Sequence, residues 1–201
     1  MPKIDSEKFY TSAIEKFGVS AKGVNWASKE NQFLRFAAIL KLLPDDLSNF
    51  TLVDAGCGFG DFYNYLKKKK RLPKQYIGID SLLDMYSIAS QNTAQEIMIA
   101  DICKDSLPNA DYYICSGALN VLTPFETHQF IRNCYSSSKI AFIFNALHGE
   151  KSSETYNYLS NANIQKIATS LKVQNIILQD GYLEEDITVK FFKQNVLQFQ
   201  A

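Results

Sequence analysis

Hydrophobic positions along the chain follow two different periods. Up to about residue 45 they recur every three or four residues, which is typical of amphipathic helices. We predict a first helix that is capped by Ser6 and stopped by Gly18. We predict a second helix that is capped by Ser28 and runs to about Leu43. The chain is therefore expected to begin with a helical segment.

After residue 50, short apolar runs alternate with helical stretches, which is typical of a parallel sheet with helices on both faces. The first five predicted strands cover residues 51–56, 76–80, 96–101, 112–117 and 139–145. The last two, 173–180 and 187–194, are joined by a loop too short for a crossover helix and must be antiparallel. We predict a doubly wound, mostly parallel α/β sheet of seven strands, the last two forming an antiparallel hairpin.

Length and composition restrict the class of protein. The 201 residues correspond to about one domain, here residues 46–201, with residues 1–45 as a helical lid. The 21 basic and 21 acidic residues balance, which argues against a dedicated nucleic-acid binder. No apolar run reaches the ~18 residues of a membrane span. The four cysteines form no C-x-x-C pair, so we predict a reduced, cytoplasmic protein without a metal site.

A glycine-rich loop follows the first predicted strand. Gly56, Gly58 and Gly60 let the backbone turn tightly and approach a ligand closely. Their G-x-G-x-G spacing differs from the G-x-G-x-x-G of dinucleotide-binding proteins, and Asp54 would repel a pyrophosphate. An NAD-dependent oxidoreductase is therefore disfavoured. The loop predicts a site for a nucleoside ligand with a positive charge, the alternative being a tight turn without a ligand.

Two further acids close the next two predicted strands. Asp80 lies 24 residues after Gly56, where a carboxylate can accept both hydroxyls of a ribose. Asp101 lies one strand further out, where it can accept a hydrogen bond from an adenine amino group. Each acid alone is an ordinary loop residue. Three acids at the ends of successive strands indicate one binding site.

The segment VDAGCGFGD and the acids of IGID and IAD resemble the cofactor motifs of class I S-adenosylmethionine-dependent methyltransferases. The resemblance covers about residues 50–195 and includes the final hairpin, because that family has a seven-stranded sheet with one antiparallel strand. Residues 25–36, 112–121 and 181–192 further resemble small bacterial methyltransferases without a settled substrate. The resemblance implies a Rossmann-like fold and methyl transfer from S-adenosylmethionine, with S-adenosylhomocysteine as the product.

The resemblance also implies a role for each cofactor motif. Asp54 and the glycine loop would surround the methionine moiety, Asp80 would hold the ribose and Asp101 would read the adenine. Ser116 and Gly117 would flank the sulfonium and begin the acceptor side. The implied cofactor-binding residues are Asp54, Ala55, Gly56, Cys57, Gly58, Gly60, Asp80, Ser81, Leu82, Asp101, Ile102, Ser116 and Gly117.

The methyl acceptor is predicted from absent motifs. The chain has no Asn/Asp-Pro-Pro-aromatic element after the fourth strand and no Pro-Cys pair, both of which mark groups of nucleic-acid methyltransferases. The basic run at residues 67–71 falls at a predicted helix C-terminus, where cations interact favourably with the helix dipole. We predict a small-molecule acceptor. The alternatives are an RNA or protein acceptor, or a non-catalytic, cofactor-binding partner subunit.

A few residues are candidates for the acceptor side. Gln32 and Arg35 share one helical face. Arg35 is a candidate partner for a carboxylate of the cofactor or the acceptor, the alternative being an exposed arginine whose stem packs on the core. Trp26 is a candidate for stacking on the acceptor, and Asn120 is a candidate for a polar contact with it. His148 follows the fifth strand and is a candidate base. The sulfonium donor is already activated, so a dedicated catalytic residue is optional.

Overall fold

The computed structural model of the protein describes residues 3–24 and 28–193. Eight strands form a sheet in the order β3-β2-β1-β4-β5-β8-β7, and a short strand, β6, pairs with β5. The strands are β1 (Thr51–Ala55), β2 (Gln75–Asp80), β3 (Glu96–Ile99), β4 (Ala110–Ser116), β5 (Ser138–His148), β6 (Tyr158–Leu159), β7 (Ile176–Gln179) and β8 (Asp186–Phe192).

In the part of the chain that the structure describes, six α-helices accompany the sheet: α1 (Ser6–Phe17), α2 (Lys29–Leu42), α3 (Asp61–Lys69), α4 (Leu83–Thr93), α5 (Pro124–Ser137) and α6 (Asn161–Ser170). The predicted cap of α2 is confirmed, because Ser28 accepts a hydrogen bond from the backbone N–H of Asn31. The predicted cap of α1 is wrong by one residue. Asp5 is the N-cap, and its carboxylate accepts from the backbone N–H of Lys8 at 3.1 Å.

The sheet has the predicted arrangement of strand directions. β1, β2, β3, β4 and β5 pair in parallel, and β8 is antiparallel to both β5 and β7. The final hairpin is therefore confirmed. The one addition is β6, two residues long, which pairs in parallel with the end of β5. A strand of two residues has no apolar pattern by which a sequence could reveal it.

Apolar side chains cover both faces of the sheet. On one face, Phe36 and Ile39 of α2 and Phe62 of α3 belong to the cluster that contains Leu52 and Ile143 of the strands. Helices α5 and α6 pack on the other face. No helix within residues 3–24 and 28–193 is both long and apolar enough to cross a membrane.

Two buried cations attach α2 to β8. The guanidinium of Arg35 pairs with the carboxylate of Asp186. The ammonium of Lys190 donates to the carbonyl oxygen of Leu42, at the end of α2, at 2.7 Å. Together with its apolar face, these contacts make α2 part of the core. Both N-terminal helices reach the cavity described next, α1 through Phe9 and Tyr10 and α2 through Gln32 and Phe36.

Candidate functional site

A cavity opens at the carboxyl ends of β1, β2 and β4, the edge at which doubly wound sheets bind ligands. It brings together eleven of the thirteen residues that the sequence pattern and the resemblance assign to the cofactor. Those eleven are Asp54, Gly56, Cys57, Gly58, Asp80, Ser81, Leu82, Asp101, Ile102, Ser116 and Gly117. The other two, Ala55 and Gly60, do not line the cavity.

The glycine loop joins β1 to α3 and has left-handed backbone angles. Gly56 has φ +76°, and a Cβ on it would lie 2.5 Å from the Cβ of Ala118. Gly60 has φ +78° and faces α4 instead, since a Cβ there would lie 2.3 Å from Cγ2 of Thr93. Gly60 therefore allows the loop to pack on α4, whereas Gly56 lets the loop approach the turn after β4.

Asp54 is a buried carboxylate at the floor of the cavity. Its side chain is almost completely buried and accepts a 2.6 Å hydrogen bond from the hydroxyl of Tyr76. Burial raises the pKa of Asp54 to about 7, and the hydrogen bond from Tyr76 opposes this rise. The carboxylates of Asp80 and Asp61 raise the pKa of Asp54 further. A cationic ligand would stabilise the ionised form of this group, so the floor suits a positive charge.

Asp80 connects the end of β2 to the glycine loop. One carboxylate oxygen accepts from the backbone N–H of Gly58 at 2.9 Å, and the other accepts from Leu82 at 3.2 Å. Burial raises the pKa of Asp80, and the backbone hydrogen bonds oppose the rise. A carboxylate has about four acceptor positions, so each oxygen can still accept from a ligand hydroxyl. Asp80 thus has a structural role besides any ligand contact.

The turn after β3 is held by side chains on both sides of it. Asp101 accepts from the backbone N–H of Cys103 at 2.9 Å and pairs with the ammonium of Lys104 at 2.5 Å. The side-chain amide of Asn133, on α5, donates to the carbonyl of Ile102 at 2.9 Å. The backbone of the predicted adenine site is therefore fixed before any ligand binds.

Aromatic side chains from outside the sheet complete the cavity, and sequence reasoning missed them. Phe9 and Tyr10 of α1 line it, as does Tyr156 from the segment before β6. Burial raises the pKa of the Tyr10 phenol, and the carboxylate of Asp80 raises it further. An ion pair between Lys3 and Glu126, at 2.7 Å, attaches the start of the described chain to α5. The apolar face of α1 was the feature of the sequence that could have indicated the aromatic side chains of this helix.

The candidate acceptor residues fall into two groups. Gln32 and Asn120 line the cavity. The amide nitrogen of Gln32 donates to Asp61 at 2.9 Å, and the carbonyl oxygen of Asn120 accepts from the backbone N–H of Leu147 at 3.2 Å. These bonds fix the orientation of both amides. The prediction for Trp26 lies outside the described residues.

Arg35 and His148 do not line the cavity. The carboxylate that Arg35 meets belongs to Asp186 of the chain itself, so the expectation of a cofactor or acceptor carboxylate is corrected. The Nδ1 atom of His148 lies 2.7 Å from the carbonyl oxygen of Leu159 in the adjacent β6. This bond orients the ring and leaves Nε2 as its second nitrogen, so what separates His148 from the candidate base role is its position outside the cavity lining.

Comparisons with known proteins agree with this geometry. Residues 52–139 match the protein family described as a methyltransferase domain. Magnesium protoporphyrin IX methyltransferase from Synechocystis PCC 6803 with bound S-adenosylmethionine has a similar fold: 14% identity, TM-score 0.68, covering 96% of this chain and 99% of that one. A possible histamine N-methyltransferase from Thermotoga maritima is 14% identical, with TM-score 0.65 and coverage of 82% and 89%.

A third similar structure comes from a protein complex. One chain of the Haloferax volcanii complex between the Trm112 methyltransferase activator and a candidate methyltransferase is 13% identical, with TM-score 0.68 and coverage of 94% and 97%. No curated protein sequence gives a significant match. The family match identifies residues 52–139 as a methyltransferase domain. The sheet and helices that contain this domain have the Rossmann-like fold of class I methyltransferases.

Proposed function

We propose that the protein transfers the methyl group of S-adenosylmethionine to a small-molecule acceptor in the cytoplasm. The observation that carries this proposal is the aromatic cover of the cavity by Phe9, Tyr10 and Tyr156. A cover of this kind leaves room for a small molecule with apolar surface. The cavity is concave, largely apolar and equipped with a few oriented polar groups, as small-molecule sites usually are.

The residues of the cavity fit the cofactor. In this proposal Asp54 binds its ammonium group through the ionised carboxylate, and the glycine loop lies against the methionine moiety. Asp80 holds the ribose hydroxyls, with Ser81 and Leu82 beside them. Asp101 and the backbone of Ile102 bind the adenine edge, while Ser116 and Gly117 lie at the reactive end. The support is that these residues, with Gly56 and Gly58 of the loop, line one cavity whose floor is a buried, unusually basic carboxylate.

The bound cofactor supplies a methyl group on a positively charged sulfur, which is already activated for displacement. The chain therefore has to orient the acceptor and exclude water, and orientation alone can contribute about 7–11 kcal/mol. Asn120 and Gln32, with their fixed amides, are the polar groups that we propose for orienting the acceptor. This proposal gives His148 no role as a base.

The lid in this proposal is α1 rather than the whole segment 1–45. The apolar face of α2 packs on the sheet, and Arg35 and Lys190 anchor it there, so its movement would disrupt the core. The α1 helix contributes Phe9 and Tyr10 to the cavity and contacts the turn Ala21–Val24. Displacement of α1 would open the cavity at little cost to the core.

The basic run at residues 67–71 gives little support to an RNA acceptor. It lies at the C-terminal end of α3, whereas Asp61 at the start of that helix lines the cavity. At ~1.5 Å per residue the two ends are about 12 Å apart along the helix. An RNA bound on the run would therefore have to bend round the helix to reach the reactive end.

The experiment that tests the acceptor class uses a cell extract separated into small-molecule, RNA and protein fractions. Each fraction is incubated with the protein and S-adenosylmethionine labelled in its methyl group. We expect label to appear in the small-molecule fraction and to be lost with an Asp54→Asn variant. Label that enters RNA or protein instead would overturn the proposed acceptor class while leaving the methyltransferase assignment intact.

A further inference from the structure

A row of buried polar side chains crosses the sheet beside the cavity, on the face that α2 covers. Strand pairing places Ser116 of β4 next to Asn145 of β5, and Asn145 next to Thr188 of β8. Asp186 lies two residues before Thr188 and so points to the same face. Asn145, Thr188 and Asp186 are almost completely buried, and Ser116 lines the cavity.

The direction of every hydrogen bond in this row follows from its charged end. Asp186 pairs with Arg35, whose guanidinium stays protonated in proteins, and an ionised carboxylate can only accept hydrogen bonds. The hydroxyl of Tyr182, 2.5 Å from Asp186, must therefore donate its one hydrogen to that carboxylate. Burial raises the pKa of Asp186, whereas Arg35 and the bond from Tyr182 oppose the rise.

The remaining members must then align in the same direction. Since the hydrogen of Tyr182 is used, its oxygen accepts from the hydroxyl of Thr188 at 2.8 Å. Thr188 in turn must accept, and it does so from the amide nitrogen of Asn145 at 2.6 Å. The amide is thus held with its carbonyl oxygen toward Ser116, which donates to it at 2.8 Å. No other assignment of the hydrogens satisfies all these contacts.

This order has a consequence for the cavity. A serine hydroxyl has one hydrogen and two acceptor positions. The hydrogen of Ser116 is committed to Asn145, so the group that Ser116 can offer to the cavity is a lone pair. We infer that Ser116 acts at the reactive end as a hydrogen-bond acceptor, and that the site selects methyl acceptors whose nucleophilic atom carries a hydrogen, namely amines and hydroxyls.

The inference rests on the proposed function, because it places the reactive end of the cofactor beside Ser116. In this role Ser116 binds the N–H or O–H of the acceptor and directs the lone pair of the same atom toward the methyl group. Ser116 does not remove the proton of the acceptor. To do so, Ser116 would have to pass its own hydrogen to the amide oxygen of Asn145, which is a poor base. The hydrogen stays on the methylated atom during the transfer, and the proton passes to solvent once the product leaves the cavity.

The test uses two cofactor analogues, so it does not require the natural acceptor. S-adenosylhomocysteine has a bare thioether at the reactive position. Sinefungin has an amine-bearing carbon there, and its N–H groups point into the space beyond the sulfur. Calorimetric titration gives the dissociation constant of each analogue. For Ser116→Ala we expect the dissociation constant of sinefungin to rise about tenfold or more. The dissociation constant of S-adenosylhomocysteine should stay within about threefold of its value in the unmodified protein.

Three further variants show whether the effect belongs to the lone pair of Ser116. Ser116→Thr keeps the hydroxyl and should restore sinefungin binding. Thr188→Val keeps the side-chain shape and removes the shorter of the two hydrogen bonds that the Asn145 amide nitrogen donates, the other going to the hydroxyl of Tyr182 at 3.3 Å. The amide is then held less firmly, so sinefungin binding should weaken selectively, although Thr188 does not line the cavity. The matched control is Ser138→Ala, which removes a buried hydroxyl that donates to the carbonyl of Tyr135 and should change neither constant.

The outcomes separate this inference from the function on which it rests. A selective loss of sinefungin binding in both Ser116→Ala and Thr188→Val supports the inference. Equal effects on the two analogues in Ser116→Ala overturn it, and an unchanged ratio in Thr188→Val overturns the role of the buried row. If Thr188→Val does not fold, Tyr182→Phe removes the next hydroxyl of the row and takes its place. Failure of the unmodified protein to bind either analogue would contradict the proposed function itself.

Discussion

The hydroxyl of Tyr76 and the carboxylate of Asp54 form a 2.6 Å hydrogen bond beneath the cavity floor. The two residues lie on adjacent strands, β2 and β1, on the face covered by α3. The bond stabilises the ionised form of Asp54, although burial still raises the pKa of this carboxyl to about 7. Near neutral pH Asp54 is therefore only partly ionised, and a bound cationic ligand would favour its ionised form.

The first prediction concerns the pH dependence of cofactor binding. Below pH 7 Asp54 is mostly protonated in the free protein, and binding of an ammonium group must release that proton. The affinity for S-adenosylhomocysteine should therefore be nearly constant above pH 7.5 and fall by about tenfold per pH unit below pH 7. Calorimetry in buffers of different ionisation enthalpy measures the proton release directly.

Tyr76→Phe is the companion variant. It removes the bond that favours the ionised carboxylate, so the pKa of Asp54 should rise and the fall in affinity should begin at a higher pH. Asp54→Asn should bind weakly with no dependence on pH over this range. An affinity that is flat from pH 5.5 to 8 in the unmodified protein would remove Asp54 from the ammonium site.

The second prediction concerns Asp80. Asp80→Ala removes the proposed partner of the ribose and also the acceptor for the backbone N–H of Gly58. We expect S-adenosylhomocysteine binding to weaken by at least about tenfold while circular dichroism shows an intact fold. Asp80→Asn retains one acceptor oxygen and should be intermediate. An unchanged dissociation constant in the alanine variant would exclude Asp80 from the site.

The third prediction separates backbone strain from close approach in the glycine loop. Gly56 and Gly181 have almost the same φ, +76° and +75°, but a Cβ at Gly56 meets Ala118 at 2.5 Å whereas a Cβ at Gly181 meets nothing within 4 Å. Gly181→Ala should cost about 1–3 kcal/mol of stability and leave ligand binding unchanged. Gly56→Ala should cost more and abolish binding. Equal losses of stability and of ligand binding in the two variants would contradict the close approach of Gly56 to Ala118.

The fourth prediction concerns the ion pair between Arg35 and Asp186. Arg35→Met leaves a buried carboxylate without its partner and should lower the free energy of unfolding by about 3–5 kcal/mol. Adding Asp186→Asn removes the remaining charge and should restore part of the loss. In contrast, Lys151→Met breaks an exposed pair with Glu185 and should cost less than about 1 kcal/mol. Urea unfolding measures all three, and a cost for Arg35→Met as small as that of Lys151→Met would contradict the burial of the pair.

The sequence predicted the sheet and the cofactor edge because both depend on local patterns. The alternation of apolar runs with helices gave the strand directions, and the acids Asp54, Asp80 and Asp101 came directly after or within strands whose ends must meet. The shift of the first helix cap to Asp5 is a small error of the same local kind, because Asp and Ser are comparable N-caps.

What the sequence did not reveal depends on pairing between distant segments. Arg35 was expected to meet a carboxylate, but only the position of β8 against α2 shows that the carboxylate is Asp186. The alternation of Asp186, Thr188 and Lys190 along β8 was visible, yet a polar alternation usually marks a solvent-facing side of a strand. The aromatic cover was missed because the hydrophobic pattern of α1 predicts an apolar face but does not reveal which part of the molecule that face covers.

The measurement that tests the central claim most directly is calorimetric titration of the purified protein with S-adenosylmethionine, S-adenosylhomocysteine and NAD at pH 8. We predict micromolar binding of both sulfur ligands, in a ratio of one per chain, and no binding of NAD. The same titration with Asp54→Asn should lose most of the affinity. Binding of NAD, or no binding of either sulfur ligand, would contradict the assignment of the cavity as the S-adenosylmethionine site.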